Sequence, residues 1–305
     1  MIDFKSLVKA GCHFGHQKSR GCPKMAPYIW GHRNGIHLID ISKTAQLLEQ
    51  SAQFLKQVTA EGKAVLWVGT KKPAQDIIFS VAQDLDMPYV NHRWIGGTLS
   101  NWAQVKKSIT KLLHLQDVIA KVEKSKEKED SQQFLYTKKE LNVIQKMIER
   151  LKKNVGGITG LRWPIGAVII VDVRKESSAL KEAVRMGIPV VALVDTNCDP
   201  TLVDYVIPGN DDVPRSIKLI IDYLHESVKV GVAQRAKDQK EEESQTVAIK
   251  KAVTEKGPVV KKAATKKDVK VESKDKAVDI THNGLKKEDS KKTVDKEREE
   301  KADKK

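Results

Sequence analysis

Several aspartates sit at or near the ends of apolar, strand-like runs: Asp172, Asp195, Asp199, Asp204, Asp211 and Asp212. In parallel α/β sheets, ligands gather at the carboxyl ends of the strands. His16 joined to Asp195, Asp211 and Asp212 offers one imidazole and three carboxylates, a donor set that suits a divalent ion such as zinc or magnesium. The competing use of such aspartates is helix capping and loop hydrogen bonding. Gly69-Thr70-Lys71-Lys72 follows an apolar run and opens a helical pattern, as a phosphate-binding turn does, but neither G-x-x-x-x-G-K-S/T nor G-x-G-x-x-G is present. Cys12, His13, His16 and Cys22 lack the paired spacing of a structural zinc site, and no Ser or Cys stands in a nucleophile motif such as G-x-S-x-G.

A different chemistry is written in Asn91-His92-Arg93-Trp94-Ile95-Gly96-Gly97. Cations beside an aromatic ring suit RNA: Arg93 and His92 for phosphate, Trp94 for stacking or, equally, for burial in a packed loop. The two glycines permit positive φ, and Thr98 or Ser100 can cap the helix that follows. Lys18, Arg20, Lys24 and Arg33 fall in a glycine- and proline-punctuated segment with no acid between Asp3 and Asp40. A basic, aromatic stretch without acids can track a phosphate backbone. Lys71, Lys72, Lys106, Lys107 and Lys111 extend the candidate RNA-facing set. The whole chain of 305 residues has a formal net charge of +15, which suits a polyanionic partner. No apolar run approaches membrane-spanning length, the first residues have no signal-peptide form, and three cysteines read as reduced thiols. These features predict a cytoplasmic protein that needs no cofactor beyond a possible divalent ion at the strand ends.

The elements that must position these residues follow from periodicity. Residues 1–35 read as irregular after a short helix at 2–10. A βα alternation then begins: strands at 36–40, 64–68, 88–90, 167–171, 190–194 and 205–207, with amphipathic helices between them. Ser42 is the expected cap of the first long helix. Continuous apolar strands imply a mainly parallel sheet with helices on both faces, doubly wound and Rossmann- or flavodoxin-like. The sheet domain spans 1–97 and 156–232. Residues 98–155 carry two heptad stripes: Trp102, Val105, Ile109, Leu112, Gln116, Ile119, and Leu141, Ile144, Ile148, Leu151, Val155. With the charged stretch 123–131 between them, they predict an inserted antiparallel coiled-coil hairpin. Residues 233–305 hold no Phe, Tyr or Trp and carry 22 Lys and Arg against 16 Asp and Glu, a composition that predicts a disordered tail.

Six blocks resemble, in order, the bacterial ribosomal protein S-two family. They are Ala10-Gly11-Cys12-His13-Phe14-Gly15-His16, Pro23-Lys24-Met25-Ala26-Pro27-Tyr28-Ile29, Arg33-Asn34-Gly35-Ile36-His37-Leu38-Ile39-Asp40, Val68-Gly69-Thr70-Lys71, Arg93-Trp94-Ile95-Gly96-Gly97-Thr98-Leu99, and the run from Val194-Asp195-Thr196-Asn197 to Ile207-Pro208-Gly209-Asn210-Asp211-Asp212. The resemblance covers about residues 2–230. It departs at Ser19-Arg20-Gly21-Cys22, where the family usually carries an aromatic before Asn-Pro-Lys. It implies a structural, non-enzymatic component of the small ribosomal subunit, seated on ribosomal RNA between head and body, beside other ribosomal proteins and supporting docking of ribosomal protein S-one. The rival reading is a nucleotide-dependent enzyme on a doubly wound sheet.

Overall fold

The computed structural model describes residues 2–127 and 136–255. Helix α1 (Phe4–Ala10) starts at Asp3, whose carboxylate accepts the Lys5 amide, and stops at Gly11, which takes φ +79°. The segment after it is not irregular. Strands β1 (Phe14–Gln17), β2 (Ile29–Arg33) and β3 (Ile36–Ile39) form a small antiparallel sheet in the order β1-β3-β2. The turn between β2 and β3 is Asn34-Gly35 with φ +51° and +77°, the positive angles that a two-residue hairpin requires. The strand expected at 36–40 therefore belongs to this hairpin sheet and not to the parallel one.

The parallel sheet is built from β4 (Ala64–Val68), β5 (Tyr89–Val90), β6 (Ile165–Val171), β7 (Val190–Val194) and β8 (Tyr205–Pro208), in the order β5-β4-β6-β7-β8. Counted from β4 this is 2-1-3-4-5, the flavodoxin-like order, with its switch point between β4 and β6. All residues of β6 and β7 are buried. Alternate residues face two separate cores. Val65, Trp67, Ile169, Val191 and Leu193 pack with α2 (Ile41–Ala60), α3 (Lys72–Asp84) and α7 (Pro214–Glu255). Leu66, Val68, Val168, Ile170 and Val194 pack with α6 (Ser177–Arg185) and the base of the arm. The cap of α2 is Asp40, which accepts the amide of Ser42, rather than Ser42 itself.

The arm consists of α4 (Trp102–Glu127) and α5 (Lys138–Val155). Helix α5 opens with a capping box in which Thr137 and Glu140 satisfy each other's backbone N–H. Val105, Ile109, Leu112 and Val155 are buried in the same cluster as Val68 and Trp94, so the arm's base is continuous with the sheet's core. Gln116 is exposed, and Leu115 takes the inward step. Of the expected connecting stretch, α4 takes up the first part, and 128–135 lie outside the described residues. Helix α7 continues past 232 to Glu255, so the stretch assigned to disorder begins as helix; 256–305 lie outside the described residues.

Truncating a buried isoleucine removes its transfer free energy and leaves a cavity. Ile109→Ala should therefore cost about 2–5 kcal/mol in urea unfolding of the whole domain, while half-buried Ile148→Ala should cost less. Equal, small losses for both would place the arm's base outside the common core.

Candidate functional site

The acids and His16 meet at the carboxyl edge of the parallel sheet. Asp195 follows β7, Asp172 follows β6, Asp211 and Asp212 follow β8, and the N-terminal segment brings His16 across them. His16 Nδ1 lies 3.0 Å from Asp195 Oδ2, and Nε2 lies 3.3 Å from Asp212 Oδ2. The hydrogen bond to Asp195 raises the pKa of His16 against the opposing effect of burial. The His16 amide donates to Thr196 Oγ1 at 2.9 Å and the Cys22 amide to the Thr196 carbonyl at 2.8 Å. Gly15 lies so close to Thr196 that a Cβ there would stand 2.6 Å from the threonine methyl.

Lys71 enters the same cluster. Its ammonium stands 2.8 Å from Asp211, 2.7 Å from Asp212 and 3.4 Å from Asp172. Burial opposes its charge, but hydrogen bonds to Asp211 and Asp212 outweigh that and raise its pKa. Asp211 is completely buried, and its Oδ2 has no hydrogen-bond partner among the described residues. Burial, with the charge of Asp195, raises Asp211 to about 7. The turn before Lys71 is also spent inside the fold: the Thr70 amide donates to buried Glu176 at 3.0 Å, and its hydroxyl donates to the same oxygen. Lys71 is thus a structural cation, which removes it from the RNA-facing set; Lys72 beside it is exposed.

In the 91–101 stretch, Trp94 is only 8% exposed, and its indole N–H donates to Glu182 Oε1 at 3.1 Å. The ring is withdrawn from stacking on RNA. Glu182 of α6 was invisible as a site residue, because in sequence it is one more charge on a helix face. It also accepts the amides of Gly97 at 2.7 Å and Leu99 at 3.0 Å. Burial pushes this carboxyl up, but those hydrogen bonds outweigh burial and hold it below its ordinary pKa. Gly97 has φ +91°, so a glycine is required where the loop folds over the carboxylate. Thr98 and Ser100 do not act as the expected cap: the Thr98 hydroxyl donates to the Ile95 carbonyl, and Ser100 donates to Glu182.

The remaining candidates stand on the surface. Lys18, Arg20, Lys24, Arg33, His92, Arg93, Lys106, Lys107 and Lys111 are all exposed. Lys24 pairs with Asp199 at 2.7 Å, an exposed pair of small energetic weight. The Lys18 amide donates to the Gly35 carbonyl, which brings it beside the turn that carries Arg33. At the other end of β2 from that turn Trp30 is 77% exposed, at the bulge where β2 carries one more residue than β3. Such a bulge re-aims a side chain. Leu38 of β3 pairs with Gly31, the neighbour of Trp30, on one side and with Phe14 of the other edge strand on the other, and Phe14 is itself 48% exposed.

Fold and site define a doubly wound α/β protein whose strand-end crevice is closed by its own N-terminal segment and whose candidate cations, Lys71 apart, are left outside. The family model for ribosomal protein S2 matches residues 7–231. The chain is 44% identical over 231 residues to the small ribosomal subunit protein uS2 of Acidobacterium capsulatum, covering 76% of this chain and 74% of that one. It is 45% identical over 230 residues to uS2 of Koribacter versatilis, covering 75% and 73%. The chain belongs to the ribosomal protein S2 family. It is a structural protein of the small subunit of the cytoplasmic ribosome, acts in translation, and has ribosomal RNA and ribosomal proteins as partners. This is not an enzyme family. Among the described residues no helix is long and apolar enough to cross a membrane.

A histidine whose pKa is raised on folding contributes stability that is complete below its unfolded value of about 6.5 and is lost as pH climbs through the folded value. In a chelator-containing buffer, His16→Ala should therefore destabilise the protein more at about pH 6 than at about pH 8.5, measured by urea unfolding. A difference that does not change with pH would show that a protonated His16 does not hold the N-terminal segment to Asp195 and Asp212.

Proposed function

We propose that the chain holds small-subunit ribosomal RNA, at the boundary of head and body, through exposed cations on the N-terminal segment, the 91–93 loop and the first turns of the arm. The observation that carries this reading is the acid-free stretch between Asp3 and Asp40, whose Lys18, Arg20 and Arg33 stand exposed with no acid paired to them among the described residues. Lys24, Lys72, His92, Arg93, Lys106, Lys107 and Lys111 complete the surface. In this reading residues 1–97 and 156–232 form the RNA-binding sheet domain and 98–155 the bracing arm. The exposed Trp30 and Phe14, on the two edge strands that flank β3, fit a protein partner, and we assign them to the docking of ribosomal protein S-one. Large exposed aromatics grouped on one small sheet mark interaction surfaces.

A divalent ion at His16, Asp195, Asp211 and Asp212 belongs to the same proposal. These four offer ligand atoms within 4.8 Å of one another, and the partnerless Asp211 Oδ2 supports an ion there. Lys71 already supplies positive charge, so the ion is an addition to the fold and not a condition of it.

Each phosphate neutralised by a cation contributes about 0.7–0.9 to the slope of log K against log salt. Arg33→Ala and Arg93→Ala should each weaken binding to small-subunit RNA and flatten that slope, whereas Trp30→Ala should leave the slope alone and lower the recovery of protein S-one on subunits. Unchanged affinity and slope in both arginine variants would reject the RNA surface; full recovery of protein S-one with the tryptophan variant would reject the docking assignment. Zinc should raise the unfolding temperature of the wild type and not that of His16→Ala. An equal response in the two would remove the ion from this site.

A further inference from the structure

A cavity of about 740 Å³ opens at the opposite edge of the parallel sheet, before the amino ends of β4, β5 and β6. None of the residues discussed above as functional lines it. Its wall holds Lys63, Arg162, Trp163 and Arg235 and one acid, Asp86, with Tyr89 and the glycine-rich segment that follows α5. Lys63 is paired with Glu61 at 2.7 Å. Arg162 and Arg235 have no ion pair or hydrogen bond with any described residue. Trp163 is 43% exposed.

Arg235 is held in place. Helix α7 crosses α2 at Gly231, where a Cβ would lie 2.0 Å from Thr59 Oγ1 and 2.5 Å from the Lys56 carbonyl. One turn later the Arg235 guanidinium lies over Gly62, so close that a Cβ there would stand 2.1 Å from Cζ. Gly62 has φ +79°, which also disfavours any other residue. The close crossing and the bare backbone place the arginine on the cavity wall. The carboxyl ends of α2 and α3 also reach this cavity, and a cation near a helix C-terminus is favourable. That accounts for one cation. It does not account for two unpaired arginines together with an exposed indole.

We propose that Arg162, Arg235 and Trp163 form an RNA-binding site for one unstacked nucleotide, with its phosphate on the guanidiniums and its base on the indole. Guanidinium forks match phosphate oxygens, and single-stranded bases stack on aromatic rings. The volume is that of a small-ligand pocket. The position, beside the strand that leads through Tyr89 to Arg93 and below the root of the arm, favours a nucleotide within an RNA chain over a free one. The proposal rests on the RNA-binding reading above and adds a second contact to it.

The test uses the full-length protein, small-subunit RNA, a short single-stranded oligoribonucleotide and adenosine monophosphate. Loss of base stacking should weaken oligoribonucleotide binding about five- to a hundredfold in Trp163→Ala, with Trp163→Phe restoring most of it. Arg162→Ala should lower affinity and reduce the single-strand salt slope by about 0.7. Arg235→Ala should do the same, and if it disturbs the α2–α7 crossing the other two variants decide. Unchanged oligoribonucleotide affinity in Trp163→Ala and Arg162→Ala, while the wild type still binds small-subunit RNA, would overturn this site and leave the RNA surface standing. A wild type that binds no RNA at all would overturn both. Adenosine monophosphate binding as tightly as the oligoribonucleotide would overturn the assignment to RNA.

Discussion

Burial of Asp195 and Asp211 at the carboxyl edge of the parallel sheet is the constraint on which the rest of the fold depends. A carboxylate taken out of water costs several kcal/mol unless it is paired or neutralised. Here the partners come from far away in sequence: His16 from the N-terminal segment and Lys71 from the turn after β4. Asp195 is 1% exposed and Asp211 is fully buried, so neither can turn to solvent if its partner leaves. Asp195 therefore ties the small antiparallel sheet to the parallel one, while Asp211 ties the turn after β4 to the segment after β8. Further hydrogen bonds reinforce the tie: the His16 amide donates to the Thr196 hydroxyl, the Cys22 amide to the Thr196 carbonyl, and the Asn210 side-chain Nδ2 to the Gly11 carbonyl.

A second anion works in a different way. Glu182 collects the Trp94 indole and the backbone amides of Gly97, Leu99 and Ser100, and so fixes the loop that leads into the arm. A carboxylate that accepts several N–H groups needs no cation, and none is paired with it among the described residues. Arg93, next to the bound indole, is left free to point outward, and Val105, Ile109 and Leu112 continue the core from the loop into α4. One acid locks the N-terminal segment and another locks the arm.

Much of this was legible in sequence, and the failures have physical causes. The parallel strands were readable because each is a continuous apolar run, and Val190–Val194 was placed to the residue. The gathering of His16 with Asp195, Asp211 and Asp212 followed from the rule that strand ends converge. The hairpin sheet was missed although Asn34-Gly35 announced it, because β1 and β2 are glycine-containing and their pairing skips a residue at Trp30. Nothing local separates Trp30 from Trp94: both are aromatics near cations, and only a bulge and a distant glutamate decide that one is exposed and the other buried. The role of Lys71 was equally invisible, since its partners lie a hundred or more residues away. Composition drew the boundary at 232, but a helix already nucleated in α7 continues for the cost of propagation alone, and so it runs on to Glu255.

The same sorting of charge explains how a sheet order shared with nucleotide-binding proteins serves a structural protein. In such folds the strand-end crevice is where a ligand's phosphates sit. Here that crevice holds four acids, an internal lysine and a strand from the chain's own N-terminus, so its chemistry is spent on joining segments. The internal cluster is close to self-neutralising: Asp172, Asp195 and Asp212 face Lys71 and His16, and burial favours a proton on Asp211. With Asp195 and Asp211 withdrawn from the surface, Lys18, Arg20, Arg33, Arg93, Lys106, Lys107 and Lys111 make up its outward field. A buried anionic cluster can therefore serve a polyanion partner twice, by holding the N-terminal segment in place and by keeping its own negative charge out of the partner's reach.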